Sequence, residues 1–393
     1  MGYILIKNGN VISDGKIQNK SILIKDSIIY DTDYKGDVPE NCDIIDATDR
    51  YVSPGFVDIH LHGGGGFDFM DCTKEAFEAI SRVHLENGTT TAVPTAVSSE
   101  MSAILKLIDT FKECREECPN FYGIHLEGPF ISKNQKGAHK EHLLHSPTDE
   151  EIELLISHGK GVIKRITAAP ELSNMDSFAK KMLENGISLA VGHSDATSDE
   201  AMEAFRNGFS HVTHLYSATP SVRKINQVIK AGVVEAAYLD DNVTVELIAD
   251  GKHVAVDALR LALKIKGTDK VAFVSDALRP AGTDVNESYL GEICPENRVI
   301  VEDGVAKLPD RSSFAGSIAT GIMLLEKGVN HYGLSLCDTV KMLTETPAKI
   351  LGIGNIGKIE KSFVADIVVF NSEYKIENVI SKGKKVKQRG TKR

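Results

Sequence analysis

No run of this sequence is apolar for long enough to cross a membrane as a helix, and no basic patch appears outside its last residues. The first absence argues against a membrane protein. The second, with 55 acidic against 45 basic residues and a net charge of −10, argues against a nucleic-acid binder. The one basic cluster, Lys382-Gly-Lys384-Lys385-Val-Lys387-Gln-Arg389, reads as a solvated terminus. The opening Met1-Gly-Tyr-Ile-Leu-Ile-Lys7 holds too short an apolar stretch for a signal peptide and is expected to form a strand. Cysteines are few: Cys42, Cys72, Cys114, Cys118, Cys294 and Cys337 are scattered, which suits reduced thiols in a cytoplasm. Cys114 and Cys118 end a charged helical stretch and lack the second pair that a zinc knuckle needs. There is no Gly-x-Ser-x-Gly elbow, and Ala315-Gly-Ser317 has no partner base by motif, so a serine mechanism has no footing.

What is present is 393 residues, 42% hydrophobic, enough for one large domain and a smaller one. Residues 1–52 show short strands with Gly, Asn and Asp turns: 4–6, a turn at 7–10, 21–24 and 27–30. The same texture returns at 365–370 and 375–380, so residues 1–52 and 355–393 are expected to pair into one small β-sandwich. Between them, in 53–354, apolar runs alternate with amphipathic helical stretches. The runs fall at 55–58, 89–93, 121–124, 162–166, 188–191, 211–213, 244–248 and 271–274. Eight such units predict a (β/α)8 TIM barrel, whose catalytic residues sit at the C-terminal ends of the strands.

The candidates fall at those ends. In Asp58-Ile-His60-Leu-His62 two imidazoles two apart on a strand project from one face, the arrangement that can hold one metal ion. Glu127 follows in His125-Leu-Glu127-Gly-Pro, then His193 in Gly192-His193-Ser, His214 in Thr213-His214 and Asp276 in Val274-Ser-Asp276-Ala. Thirteen histidines mean bystanders, and His84, His142, His145, His158 and His331 in helical or loop stretches are taken as such. Asp276 also fits a helix N-cap ahead of Ala277-Leu278.

Longer strings carry a resemblance: Pro54-Gly-Phe-Val-Asp58, Gly123-Ile-His-Leu-Glu127-Gly-Pro-Phe130, Lys136-Gly-Ala-His139, Gly192-His193-Ser-Asp-Ala-Thr197, Ala249-Asp-Gly-Lys-His253-Val and Phe314-Ala-Gly-Ser317. With them the chain resembles the amidohydrolase superfamily and, within it, the N-acetylglucosamine-6-phosphate deacetylases. The resemblance implies hydrolysis of the acetamide of N-acetyl-D-glucosamine 6-phosphate to D-glucosamine 6-phosphate and acetate. A second acetamido sugar, such as N-acetylgalactosamine 6-phosphate, is the alternative.

The resemblance assigns Glu127, His193 and His214 to one divalent ion and His60, His62 and Glu127 to a second, with Zn2+ or Fe2+ suiting these donors. Asp276 would act as general base on a water and then as general acid to the departing nitrogen. His253 would contact the phosphate across the interface of a homodimer, His139 would lie near the sugar or its carbonyl, and Ser217 and Ala218 stand where relatives carry Asn-Ala. The relatives' Arg-Glu-Pro-Gly string, whose arginine grips the phosphate, is replaced by Ile229-Lys230-Ala231-Gly232. Arg223, Lys224 or Lys230 are the cations expected to compensate.

Overall fold

Residues 56–61 are buried without a break, as a strand must be when helices cover one face and its own barrel encloses the other. The computed structural model describes residues 2–387, and eight such strands run parallel in sequence order within it. They are β1 (Phe56–Leu61), β2 (Thr89–Ala96), β3 (Ile124–Glu127), β4 (Ile163–Ala168), β5 (Ser188–Val191), β6 (Phe209–Val212), β7 (Thr244–Ile248) and β8 (Val271–Val274). Backbone bonds just past the ends of β1 and β8 close the ring, Asp276 N donating to His60 O at 2.9 Å and His62 N to Ala277 O at 2.8 Å. A helix follows each strand, from Lys74–Glu86 after β1 to Gly321–Asn330 after β8. This is the (β/α)8 barrel expected from the sequence. β3 is the strand whose position differs: it starts where the 121–124 run ends, because Phe121 joins the sheet only by one bridge to Ala92.

Local signals fix the helices. Thr197, at the end of the Gly192-His193-Ser string, caps Ser198–Arg206 in a reciprocal box with Glu200, which ties the loop carrying His193 to a rigid element. No helix starts directly after Asp276, where the chain runs into a bridge and a turn, so its carboxylate is not used as a cap.

Both ends of the chain meet in an eight-stranded sheet curled into a small sandwich. Tyr51–Pro54 pairs with Ile367–Phe370 on one side and with Tyr3–Ser13 on the other. Ile4, Ile6, Ile22, Ile24, Val52, Ile367 and Val369 fill its core. The turn expected at 7–10 is instead a register shift inside the strand Tyr3–Ser13. The hairpin falls at Asp14-Gly15, both with positive φ, the requirement of a two-residue hairpin turn. Of the basic C-terminal cluster, Lys384–Lys385 forms an exposed edge strand, and Gln388 and Arg389 lie outside the described residues. Two additions decorate the catalytic end: a hairpin of Arg223–Ile225 and Val228–Lys230, and a four-stranded sheet from Glu287–Tyr289 to Phe314–Ser317. No helix among the described residues is long and apolar enough to cross a membrane.

Candidate metal centre

Strand geometry delivers the side chains. β1 turns Asp58 and His60 inward and His62 continues that face, β3 ends on Glu127, and His193, His214 and Asp276 each stand two residues beyond β5, β6 and β8. These last three have positive φ, at 48°, 25° and 48°, a conformation that non-glycine residues hold only where the surroundings impose it. All seven side chains are buried.

Glu127 is the hub. Its Oε1 lies 2.8 Å from His214 Nε2, 3.2 Å from His193 Nε2 and 3.5 Å from His60 Nε2, while Oε2 lies 3.2 Å from His62 Nε2 and 3.5 Å from His139 Nε2. Asp276 Oδ1 stands 3.3 Å from His62 Nε2 and 3.7 Å from His60 Nε2. Donor atoms within 4.8 Å of one another form three groups: His60, His62 and Asp276; His60, Glu127 and His214; Glu127, His139 and His193.

The other ring nitrogens decide which imidazoles can ligate. His60 Nδ1 donates to Glu246 Oε1 at 2.6 Å, His193 Nδ1 to the Gln135 carbonyl at 2.8 Å and His214 Nδ1 to the Ser217 carbonyl at 3.1 Å. Each ring thus turns Nε2 to the cluster, where a metal ion would take its lone pair in place of a proton. His139 is held the opposite way: the Ser98 backbone N–H donates to its Nδ1 at 3.3 Å and Ser98 Oγ sits 2.7 Å away. With its proton on Nε2, His139 donates a hydrogen bond into the site. Burial lowers its pKa to about 4 and keeps it neutral.

The charge balance calls for a cation. Burial alone would push Glu127 up, yet the His60 charge and hydrogen bonds from the surrounding imidazoles hold its carboxyl well below the usual range. Burial likewise opposes a charged His62, but Asp276 and Glu127 raise it to about 9. Two ionised carboxylates that draw positive charge onto the imidazoles around them suit a divalent ion, whose charge would replace those ring protons. Among the described residues His62 Nδ1 finds no hydrogen-bond partner.

The cluster opens into a cavity of about 400 Å³ whose lining includes His139, Ser217, Ala218 and His253. His253 is held by Asp250 at 2.7 Å and packs on Phe314, and it lines the cavity of its own chain. Arg223 and Lys230 lie on the hairpin, away from the lining.

Comparison with known proteins agrees with this geometry. Residues 51–386 match the amidohydrolase family. The chain belongs to that family. Within it, the chain strongly resembles the N-acetylglucosamine-6-phosphate deacetylases. It is 30% identical to the one from Bacillus subtilis (strain 168), over 96% of this chain and 93% of that protein. It is 27% identical to the N-acetylgalactosamine-6-phosphate deacetylase of Shewanella sp. (strain ANA-3), over 95% and 94%. The crystal structure of the N-acetylglucosamine-6-phosphate deacetylase from Pasteurella multocida superposes with a TM-score of 0.90, at 28% identity, over 98% of this chain and 99% of that one.

In this amidohydrolase the residues not singled out from the sequence are Ser98, Glu246, Arg165, His211 and the loop Lys133-Asn-Gln135, which lines the cavity. Glu246 and Arg165 had a signal: each is a charge in a run expected to be a buried strand, and buried charges require partners. Among the bystanders, His84 is buried in its helix with Nε2 donating to the Gly63 carbonyl at 2.9 Å, and His145 and His158 pair with Glu151 and Asp109. None of the five joins the three donor groups.

Proposed function

We propose that the protein is a metal-dependent deacetylase that hydrolyses the acetamide of N-acetyl-D-glucosamine 6-phosphate to D-glucosamine 6-phosphate and acetate. The observation that carries this reading is the pairing of three imidazoles, each held at Nδ1, around Glu127 with a second carboxylate, Asp276, 3.3 Å from His62. Relatives named for this reaction match nearly the whole chain.

Glu127, His193 and His214 would hold one ion, and His60, His62 and Glu127 a second, Zn2+ or Fe2+ best matching the donors. When bound, such an ion supplies Lewis acidity and lowers the pKa of a water to about 7. Asp276 Oδ1 accepts the proton from the attacking water and returns it to the leaving nitrogen, so one carboxylate serves both halves of the reaction. His139 donates from Nε2 to the carbonyl oxygen as charge develops there. Ser217, Ala218 and His253 bind the sugar phosphate. The subunit is proposed to work as a homodimer in the cytoplasm.

N-Acetylgalactosamine 6-phosphate is the second reading, favoured by the Shewanella relative. Acetate release from the two 6-phosphates and from N-acetylglucosamine separates them. Preference for the gluco 6-phosphate supports the first reading, and preference for the galacto epimer replaces it with the second.

A further inference from the structure

Below the donor cluster the barrel interior is polar, and Glu246 of β7 is its centre. One oxygen, Oε1, accepts from His60 Nδ1 at 2.6 Å and from the backbone N–H of His214 at 3.1 Å. The other, Oε2, accepts from Arg165 Nη2 at 2.8 Å and lies 3.1 Å from His211 Nε2. Glu246, Arg165 and His60 are almost wholly withdrawn from solvent, at 0%, 1% and 0% exposure, so these bonds have no competition from water. His125 stands edge-on to the His60 ring, centroids 4.8 Å apart, and closes the side of the ring.

The His60 ring therefore has one donor contact and one direction left for its lone pair. A histidine ligand whose far nitrogen donates to a carboxylate is fixed in tautomer and orientation and is more basic at the ligating nitrogen. Such partners commonly change metal affinity by about 10–100-fold. Here the same oxygen also accepts from the backbone N–H of His214, so one side chain holds a residue from the ligand set of each proposed ion.

We infer that Glu246 is a positioning residue of the metal centre, holding His60 with Nε2 toward the ion and fixing the His60–His62 half of the site relative to His214. This rests on the proposal that His60 ligates an ion. Arg165 is the countercharge that lets a carboxylate sit at that depth.

The test is zinc stoichiometry and affinity of the purified full-length protein, by elemental analysis and competition with a chromophoric chelator, for wild type, His60→Ala, Glu246→Gln and Glu246→Asp. Melting of each metal-free protein is measured alongside. Glu246→Gln is expected to keep the ion held by His193 and His214 and to weaken the other about 10–100-fold, with Glu246→Asp in between. Should Glu246→Gln fail to fold because Arg165 is left unpaired, the double variant Glu246→Gln/Arg165→Met removes that charge and gives the same readout. If His60→Ala loses an ion while the Glu246 variants bind both as tightly as wild type, the role of Glu246 is overturned, even where the metal-free melting temperature falls. If wild type and His60→Ala hold the same zinc, the assignment of His60 to a metal falls, and the inference with it.

Discussion

Arg223 is bound to Asp195, its guanidinium donating to the Asp195 carboxylate and, at 2.6 Å, to the Asp195 backbone carbonyl. A guanidinium engaged in this way cannot grip a phosphate without breaking a charge-assisted pair. Asp195 also accepts from Asn134 Nδ2 at 3.2 Å and Gln135 Nε2 at 3.0 Å. It thus laces the hairpin to the loop that carries Lys133 and Lys136, the two lysines that do line the cavity.

The substrate's phosphate is therefore expected to draw on Lys133 or Lys136 together with His253. Replacing both lysines by alanine should raise KM for the phosphorylated sugar about tenfold or more, the scale of losing a charged hydrogen bond, and leave the unphosphorylated sugar unaffected. Arg223→Ala should change KM less than the lysine pair. Steady-state kinetics on both sugars decides, and an equal effect on both would argue against a phosphate contact.

Asp276→Asn keeps the shape of the site and removes the proton acceptor. Metal content should stay at the wild-type level while kcat drops by about two orders of magnitude or more. Turnover within tenfold of wild type would assign the base elsewhere.

His139 and His193 separate by tautomer. His139→Ala should lower kcat with metal retained, since its Nε2 carries a proton, whereas His193→Ala should lower metal content itself. Elemental analysis of the two variants checks this, and loss of metal from His139→Ala would place it among the ligands.

Much of this was legible in the sequence, for a physical reason. Parallel strands enclosed on both faces appear as short apolar runs, so seven of the eight barrel strands lie where those runs fall, and the polar residues at their ends stand out. β3 was misplaced because Phe121-Tyr-Gly is apolar enough to pass for strand, although the ladder proper starts at Ile124. The Asn8-Gly9 signal marks a bulge and not a turn, because a Cβ at Gly9 would lie 2.5 Å from Val52 Cγ2 and the glycine is needed for that close approach. Glu246 and Arg165 were hidden inside apolar runs, and only the fold shows that they face each other. Nothing in the local pattern marks which of several lysines reaches the cavity.

Asp366 offers a stability test away from the chemistry. Burial pushes its carboxyl up to about 6, against about 3.9 in an unfolded chain. The unfolded state ionises first as pH rises, so the penalty is absent below about pH 4, grows toward pH 6 and is complete above it, on the order of 3 kcal/mol. Asp366→Asn should raise the melting temperature at pH 7 and match wild type near pH 4. Thermal melts across that range check the sign, and an equal gain at pH 4 would contradict it.

The central claim is that this cluster of histidines and carboxylates hydrolyses an acetamido sugar phosphate with a divalent ion. Acetate and free amine released from N-acetylglucosamine 6-phosphate should be measured on the metal-loaded protein, after chelation, and after zinc or ferrous iron is restored. Equal amounts of acetate and amine, lost on chelation and recovered with metal, is the expected result. Undiminished turnover in the chelated protein, or no acetate from either 6-phosphate when metal is bound, would contradict the account.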